Sequence, residues 1–94
     1  MIQFKESENT AVFTTRFVIH DKVTITSVFH YEDGSWQFSG RENNLKDSDY
    51  MVVSLGEILS RDSSIKELAS MPIGFYATRS GKKVTWEIMP LGNS

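Results

Sequence analysis

The sequence contains no cysteine and only two histidines among its 94 residues. Without cysteine the chain can form neither disulfides nor thiolate metal sites, and this composition suits a reducing compartment, so we expect a cytoplasmic protein. His20 and His30 cannot complete a closed structural zinc site of the usual kinds, and their spacing is not the helical i, i+4. A site completed by carboxylates stays open on the sequence alone. We therefore expect no metal and no cofactor.

Long apolar runs and a strong charge of one sign are also missing. No apolar run approaches the roughly 20 residues that a membrane helix needs, and residues 1–8 are too polar for a signal peptide. We therefore expect neither export nor membrane insertion. The net charge of −2 provides no field that would attract phosphates, so nucleic acid is not an expected partner.

Length and composition indicate one globular domain over residues 1–94. The chain is 39% apolar and 23% charged, which is typical of folded domains rather than of disordered segments. A chain this short needs most of its aromatic residues for its core. We expect a core over about residues 11–89 and frayed residues at both ends.

The first third of the sequence predicts three antiparallel strands in a meander. Residues 11–19 are rich in β-branched and aromatic types, and residues 23–31 alternate. Asp33-Gly34 favours a tight turn, and Trp36 and Phe38 point inward in the strand that follows. The alternation of residues 23–31 places Val23, Ile25, Phe29 and Tyr31 on one face and Thr24, Thr26 and His30 on the polar face, where His30 is solvent-facing or hydrogen-bonded.

The middle of the sequence predicts a loop, a strand and two short helices. Residues 41–48 lack periodicity and indicate a solvated, mobile loop, and residues 50–53 resemble a short buried strand. The patterns Ser54-x-x-Glu57 and Ser64-x-x-Glu67 are capping boxes, which begin helices. Pro72 ends the second helix.

The last third predicts a hairpin of residues 73–79 and 82–89 around Ser80-Gly81, with Val84, Trp86 and Ile88 on one face. Together these elements predict an α+β fold: a mostly antiparallel sheet of about five to six strands, with two short helices packed on one face.

Motifs that carry chemistry are scarce. Asp47-x-Asp49 resembles the start of a calcium loop, but the glycine and the closing glutamate are missing, so a solvated loop is the better interpretation. The sequence has neither a nucleophile elbow nor a glycine-rich phosphate loop. A catalytic pair assembled only in three dimensions stays open, but the sequence favours a non-catalytic protein.

Three blocks of the sequence resemble a family of small bacterial domains of unknown function. The blocks are residues 33–38 (DGSWQF), residues 52–59 (VVSLGEIL) and residues 71–79 (MPIGFYATR). The resemblance spans roughly residues 12–88, although the family commonly has an acidic residue where this chain has Ser35. Related domains have been proposed as immunity proteins of polymorphic toxin systems. The resemblance implies no established activity, catalytic residue or cofactor.

Two functional hypotheses follow from the sequence. The first is a non-catalytic module that binds another protein, or a second copy of itself, through a sheet face, an edge strand or the loop at 40–49. Its candidate partner-facing residues are Asp33, Trp36, Arg41, Arg79 and Trp86, although Arg79 and Trp86 would also be explained by structural stacking. The second is a small ligand-binding or hydrolase-like enzyme with a site between helices and sheet, formed by His30, Asp33, Glu57 and Arg79.

Overall fold

A computed structural model describes residues 4–42 and 44–92. It contains one six-stranded sheet with the order β4-β1-β3-β2-β5-β6. Every neighbouring pair is antiparallel except β1 and β3, so the α+β fold with a mostly antiparallel sheet is confirmed. In chain order the elements are β1 (Ala11–Thr15), α1 (Arg16–His20), β2 (Ser27–His30), β3 (Trp36–Ser39), β4 (Tyr50–Ser54), α2 (Leu55–Arg61), a 3₁₀ helix (Ser63–Leu68), β5 (Phe75–Thr78) and β6 (Glu87–Pro90).

The helices cover one face of the sheet and form the core with it. The buried strand residues on that face are Val12, Val28, Trp36, Phe38 and Ala77. Helical side chains pack on them, chiefly Val18, Leu55, Ile58, Ile65 and Leu68. Trp36 and Phe38 therefore point inward as predicted. The opposite face of the sheet is uncovered around Phe13, Tyr50 and Val52, which are exposed, whereas Thr15 and Ser39 at one end of it are buried.

The predicted meander is wrong in its first strand. β1 ends at Thr15, and residues 16–19, which were expected to extend it, belong to α1 (Arg16–His20). The helix begins there because the side chain of buried Thr15 accepts a hydrogen bond from the Val18 N–H, as N-cap residues do. The helix then carries the chain across, and β1 pairs with β3 in parallel and with β4 on its other side.

The turn between β2 and β3 follows the prediction. Gly34 has a φ of 90°, a conformation that glycine adopts without steric cost. The Asp33 carboxylate accepts hydrogen bonds from the backbone N–H and the hydroxyl of Ser35, at 2.9 and 2.7 Å. These bonds lower the pKa of Asp33, with that from the Ser35 hydroxyl contributing most. The adjoining strand is shorter than expected, because β2 covers only Ser27–His30.

Both capping signals lie where helices begin, but only the Ser54 N-cap is confirmed, and neither reciprocal box forms. Ser54 is the N-cap of α2 and accepts from the Glu57 N–H at 3.1 Å, while the Glu57 carboxylate accepts from Arg61 instead of closing the box. The second helix is a 3₁₀ helix, and its N-cap is Asp62 rather than Ser64. Asp62 precedes the predicted pattern, and its carboxylate accepts from the Ser64 N–H.

Three further expectations need correction. β4 is not buried, because it forms one edge of the sheet and Val52 is 61% exposed. The final hairpin exists, but β5 and β6 are joined by residues 79–86, so Val84 and Trp86 lie in the connection. The chain ends are less frayed than expected: Phe4 packs edge-on against Trp36, and the Leu91 N–H donates to the Gly74 carbonyl. Asn43 of the predicted loop and residues 1–3 and 93–94 lie outside the described residues.

Candidate functional site

The uncovered side of the sheet carries a continuous row of side chains across all six strands. Register pairing places these residues side by side in the order Val52, Phe13, Gln37, Phe29, Tyr76 and Met89. Tyr50 and Tyr31 lie on the same side of the sheet, two residues along the chain from Val52 and Phe29 respectively. We call this surface the open face and define it by these eight residues. Six of them are aromatic or β-branched, and Val52, Phe13 and Tyr50 are exposed.

Aromatic contacts order the middle of the open face. The Phe29 ring stacks on Tyr31 and on Tyr76, with centroids 5.7 Å apart in both pairs. The Tyr31 hydroxyl donates to the Gln37 side-chain oxygen at 3.0 Å, and the Tyr76 hydroxyl donates to the Met89 sulfur at 3.8 Å. Partial burial, with a smaller effect of nearby Tyr50, raises the pKa of Tyr31, so its hydroxyl stays protonated at neutral pH. These rings therefore form a fixed surface.

Charge is almost absent from this side of the sheet. By the alternation of the described strands, the outward-facing residues of β1 to β6 include one ionisable group other than tyrosine, Glu87, which lies at the β6 edge. An exposed sheet face in a monomer normally carries polar and charged residues at alternate positions. The eight residues of the open face instead have the composition of an interface core, where aromatic residues and methionine are enriched and charges are depleted, whereas most of the other outward positions carry serine or threonine.

The five predicted partner-facing residues are divided between the interior and the surface. Trp36, Arg79 and Trp86 are buried and present almost no surface to a partner. Asp33 and Arg41 are exposed, but they lie apart from the open face: Asp33 is in the β2–β3 turn, and the Arg41 guanidinium donates to the Ser80 carbonyl. The structure does not bring the five residues together into one site.

Arg79 is held by a set of contacts that satisfies its guanidinium. It donates to the Ile25 carbonyl at 2.9 and 3.1 Å, to the Ser64 hydroxyl at 2.9 Å and to the Asp62 carboxylate at 2.7 Å. Trp86 covers it, with the guanidinium carbon 4.1 Å from the ring centroid. Burial alone would raise the pKa of Asp62, but hydrogen bonds from Ser64 and Arg79 lower it overall. We call this group the Arg79 cluster, and its closed geometry is structural.

The residues of the predicted enzyme site are also separate. His30 pairs with Phe75 at one end of β2. The backbone N–H of Arg79 donates to the Thr26 carbonyl at the other end, four residues or about 13 Å away. The Glu57 carboxylate pairs with Arg61 on α2. His30 is buried on the core face rather than on the polar face, and it is hydrogen-bonded, which is one of the two predicted alternatives.

His30 does line a cleft of about 480 Å³ at the end of the sheet, together with Glu6, Trp36 and Met71. Its ring stacks on Trp36 with centroids 3.8 Å apart, and Nδ1 lies 2.9 Å from the Met71 carbonyl. A carbonyl only accepts, so Nδ1 carries a proton. Glu6 accepts from the Trp36 indole N–H at 3.0 Å. The stacking on Trp36 and the hydrogen bond to the Met71 carbonyl fix the His30 ring, which favours a structural role for His30.

The Asp47-x-Asp49 pattern is used for structure. Residues 47–49 form a 3₁₀ turn, in which the Asp49 carboxylate accepts from the Lys46 N–H and from Arg16, both at 2.9 Å. These contacts lower the pKa of Asp49, and the hydrogen bond from the Lys46 backbone N–H contributes most. In residues 4–42 and 44–92, no group of three or more histidine or acidic side chains is placed to hold a metal ion. No helix in the same residues is long and apolar enough to cross a membrane.

Sequence reasoning missed the open face because it assigned the faces of β2 the wrong way round. Phe29 and Tyr31 are the larger side chains and were grouped with the apolar positions, yet Val28 and His30 face the core. The sequence contains a signal for this. Within residues 27–31, apolar residues occur at both odd and even positions, as expected for a strand that has apolar side chains on both faces. The same holds for residues 50–53.

No family model, curated protein or solved structure matches this chain. The relation to small bacterial domains and to toxin immunity therefore stays a prediction from the three sequence blocks. A function for this protein has to be argued from the geometry of its described surfaces, of which the open face departs furthest from an ordinary solvated sheet.

Proposed function

We propose that this protein is a non-catalytic protein-binding domain, and that the open face is its binding surface. The observation that carries the proposal is the uncharged row from Val52 to Met89, which crosses all six strands. Phe13 is 42% exposed at the second position of the row, between Val52 and Gln37. Water covers these side chains in the isolated domain, so a partner that covered them instead would gain hydrophobic free energy.

The chemistry of the open face favours a protein partner with an apolar, weakly charged surface. Nucleic acid would require basic residues around the stacked rings, and the outward positions of the described strands provide none. The rings of Phe29 and Tyr76 are already stacked, so binding would cost little side-chain entropy. An immunity-type inhibitor, as the sequence blocks suggest, is one form that such a domain would take.

The test is to mix the purified protein with purified proteins encoded beside its gene and to measure complex formation by size-exclusion chromatography with light scattering. We expect one of them to form a stoichiometric complex. Phe13→Lys should weaken that complex at least tenfold, because it places a charge within a desolvated contact.

Ile88→Lys is the matched control, because Ile88 is 50% exposed but lies on the helix-bearing side of the sheet. This variant should bind as the wild type does, and thermal unfolding should show that both variants fold. Failure of every neighbouring protein to bind would contradict the proposal. So would a complex that tolerates Phe13→Lys while Ile88→Lys disrupts it.

The cleft beside His30 supports a second candidate function, binding of a small ligand. The observation in its favour is the convergence of an imidazole, the Glu6 carboxylate and the Trp36 ring on about 480 Å³. Ligand-observed NMR with a fragment library would test it, with Met71→Trp as a variant that fills the cleft. Hits that persist in the filled variant would argue against this cleft as the site.

A further inference from the structure

The two edges of the sheet are protected very differently. β6 ends in Pro90, which has no N–H to offer, and begins with the charged Glu87. Proline and charge are the usual features that prevent an edge strand from pairing with another chain. β4, at the opposite edge, has the sequence Tyr50-Met51-Val52-Val53-Ser54, without charge, proline or glycine. It is therefore an unprotected edge.

The backbone of β4 offers pairing groups on its outer side. The Leu55 N–H donates to the Thr10 carbonyl at 2.8 Å, which fixes the hydrogen-bonding phase of the antiparallel β1–β4 pair. In such a pair, hydrogen-bonded and non-hydrogen-bonded positions alternate along the strand. Because Leu55 is a hydrogen-bonded position, Val53 and Met51 also form backbone hydrogen bonds to β1. The N–H and C=O of Val52, and the N–H of Ser54, therefore point away from β1. The Tyr50 N–H is occupied by the Asp47 carbonyl, but the Tyr50 carbonyl points outward.

We propose that β4 pairs with β4 of a second copy of this chain, antiparallel, with Val52 opposite Val52 across a two-fold axis. In this register the Val52 N–H of each copy donates to the Val52 carbonyl of the other, and each Ser54 N–H donates to the opposite Tyr50 carbonyl. Four backbone hydrogen bonds form, and no charged side chain faces its own copy. The same uncharged strand is present on both sides, as a two-fold interface requires.

The pairing would create a twelve-stranded sheet with both open faces on the same side. Val52 of one copy would adjoin Val52 of the other, because side chains at opposed positions share a face. The proposed binding surface would then be continuous over the dimer. The strand is only about 17 Å long, so the contact is at the small end of specific interfaces and the dimer should be weak. The inference does not depend on the proposed function, because Phe13→Lys alters the open face and leaves the outward backbone groups of β4 unchanged.

Sedimentation equilibrium over a wide range of protein concentration tests the proposal. We expect the average mass of the wild type to rise toward that of a dimer. Val52→Pro removes the outward N–H without removing a bond to β1. The dissociation constant of the dimer should therefore rise at least tenfold, and the variant should stay monomeric over the concentrations at which the wild type associates. Val52→Thr is the matched control: it keeps the N–H and the β-branched shape and should associate as the wild type does.

Amide hydrogen exchange on the wild type is a second measurement that holds even if the proline variant fails to fold. The Val52 amide should exchange more slowly as protein concentration rises, whereas the Val53 amide, bonded to β1, should be protected throughout. A monomer at all concentrations, or a dimer that persists in Val52→Pro, would overturn the proposal. Loss of the dimer in Phe13→Lys alone would place self-association on the open face. Protection of Val52 only after another protein is added would indicate strand addition by a partner.

Discussion

Single residues of this protein show that a buried charge is stable here because hydrogen bonds and a counter-charge replace its contacts with water. The Arg79 side chain is 1% exposed, and the Asp62 carboxylate is its only charged partner among the described residues. Replacing Asp62 by asparagine keeps the shape and the capping oxygen but leaves the guanidinium without its counter-charge. Such a change is costly because the remaining charge cannot return to water.

We expect Asp62→Asn to lower the free energy of unfolding by about 3 kcal/mol, measured by urea denaturation. Glu57→Gln is the matched change in a surface pair: Glu57 binds Arg61 at 2.7 Å, one turn along α2. It should cost less than about 0.5 kcal/mol, because water solvates both partners when the pair is broken. Equal losses in the two variants would show that the Arg79 cluster does not depend on its charge.

The pH dependence of stability should follow from the same carboxylate. The pKa of Asp62 is lower in the folded protein than in the unfolded chain, where it is about 3.9. On acidification the unfolded chain therefore binds a proton first, so the contribution is complete above about pH 5 and is lost as the pH falls through the folded pKa. The urea midpoint should fall less steeply between about pH 5 and pH 3 in Asp62→Asn than in the wild type. Parallel profiles would assign the acid sensitivity to other groups, Asp49 first.

At the scale of elements, the features that sequence predicted best are those set by a few consecutive residues. The Asp33-Gly34 turn and the Ser54 cap depend on bonds within three residues, so their sequence patterns were sufficient. α1 was missed because the β-branched and aromatic residues at 16–19 favour a strand, and only the cap from Thr15 and packing of Val18 in the core make this segment helical. Asp62 was missed as a cap although its bond to the Ser64 N–H is equally local, because the Ser64-x-x-Glu67 pattern matched a capping box two residues later.

Ser54→Ala should destabilise the protein by about 1 kcal/mol, because the Glu57 N–H loses the side-chain acceptor that begins α2. Ser60→Ala is the control in the same helix: the Ser60 hydroxyl donates to the Glu57 carbonyl at an exposed position. Its effect should stay within about 0.5 kcal/mol. Urea denaturation of both variants measures the difference, and a loss in Ser60→Ala as large as in Ser54→Ala would contradict the role of the cap.

At the scale of the whole molecule, sequence predicted the fold class but neither the strand order nor the site. Alternation and turn residues are local, whereas the parallel pairing of β1 with β3 joins Phe13 to Gln37, across a helix and another strand. The open face depends on five pairings at once, so no single stretch of sequence contains it. The Arg79 cluster likewise joins Ile25, Asp62 and Arg79 from three separate segments.

The position of β1 between β3 and β4 has a consequence for folding while the chain is being synthesised on the ribosome. β1 is synthesised first, yet its two neighbours are completed only at Ser39 and Ser54. At a synthesis rate of about 5 to 20 residues per second, the second edge of β1 stays unpaired for roughly 2 to 8 seconds until β4 has been synthesised. During that interval the nascent chain exposes an apolar strand with an open edge, the stage at which a chaperone would have most to protect.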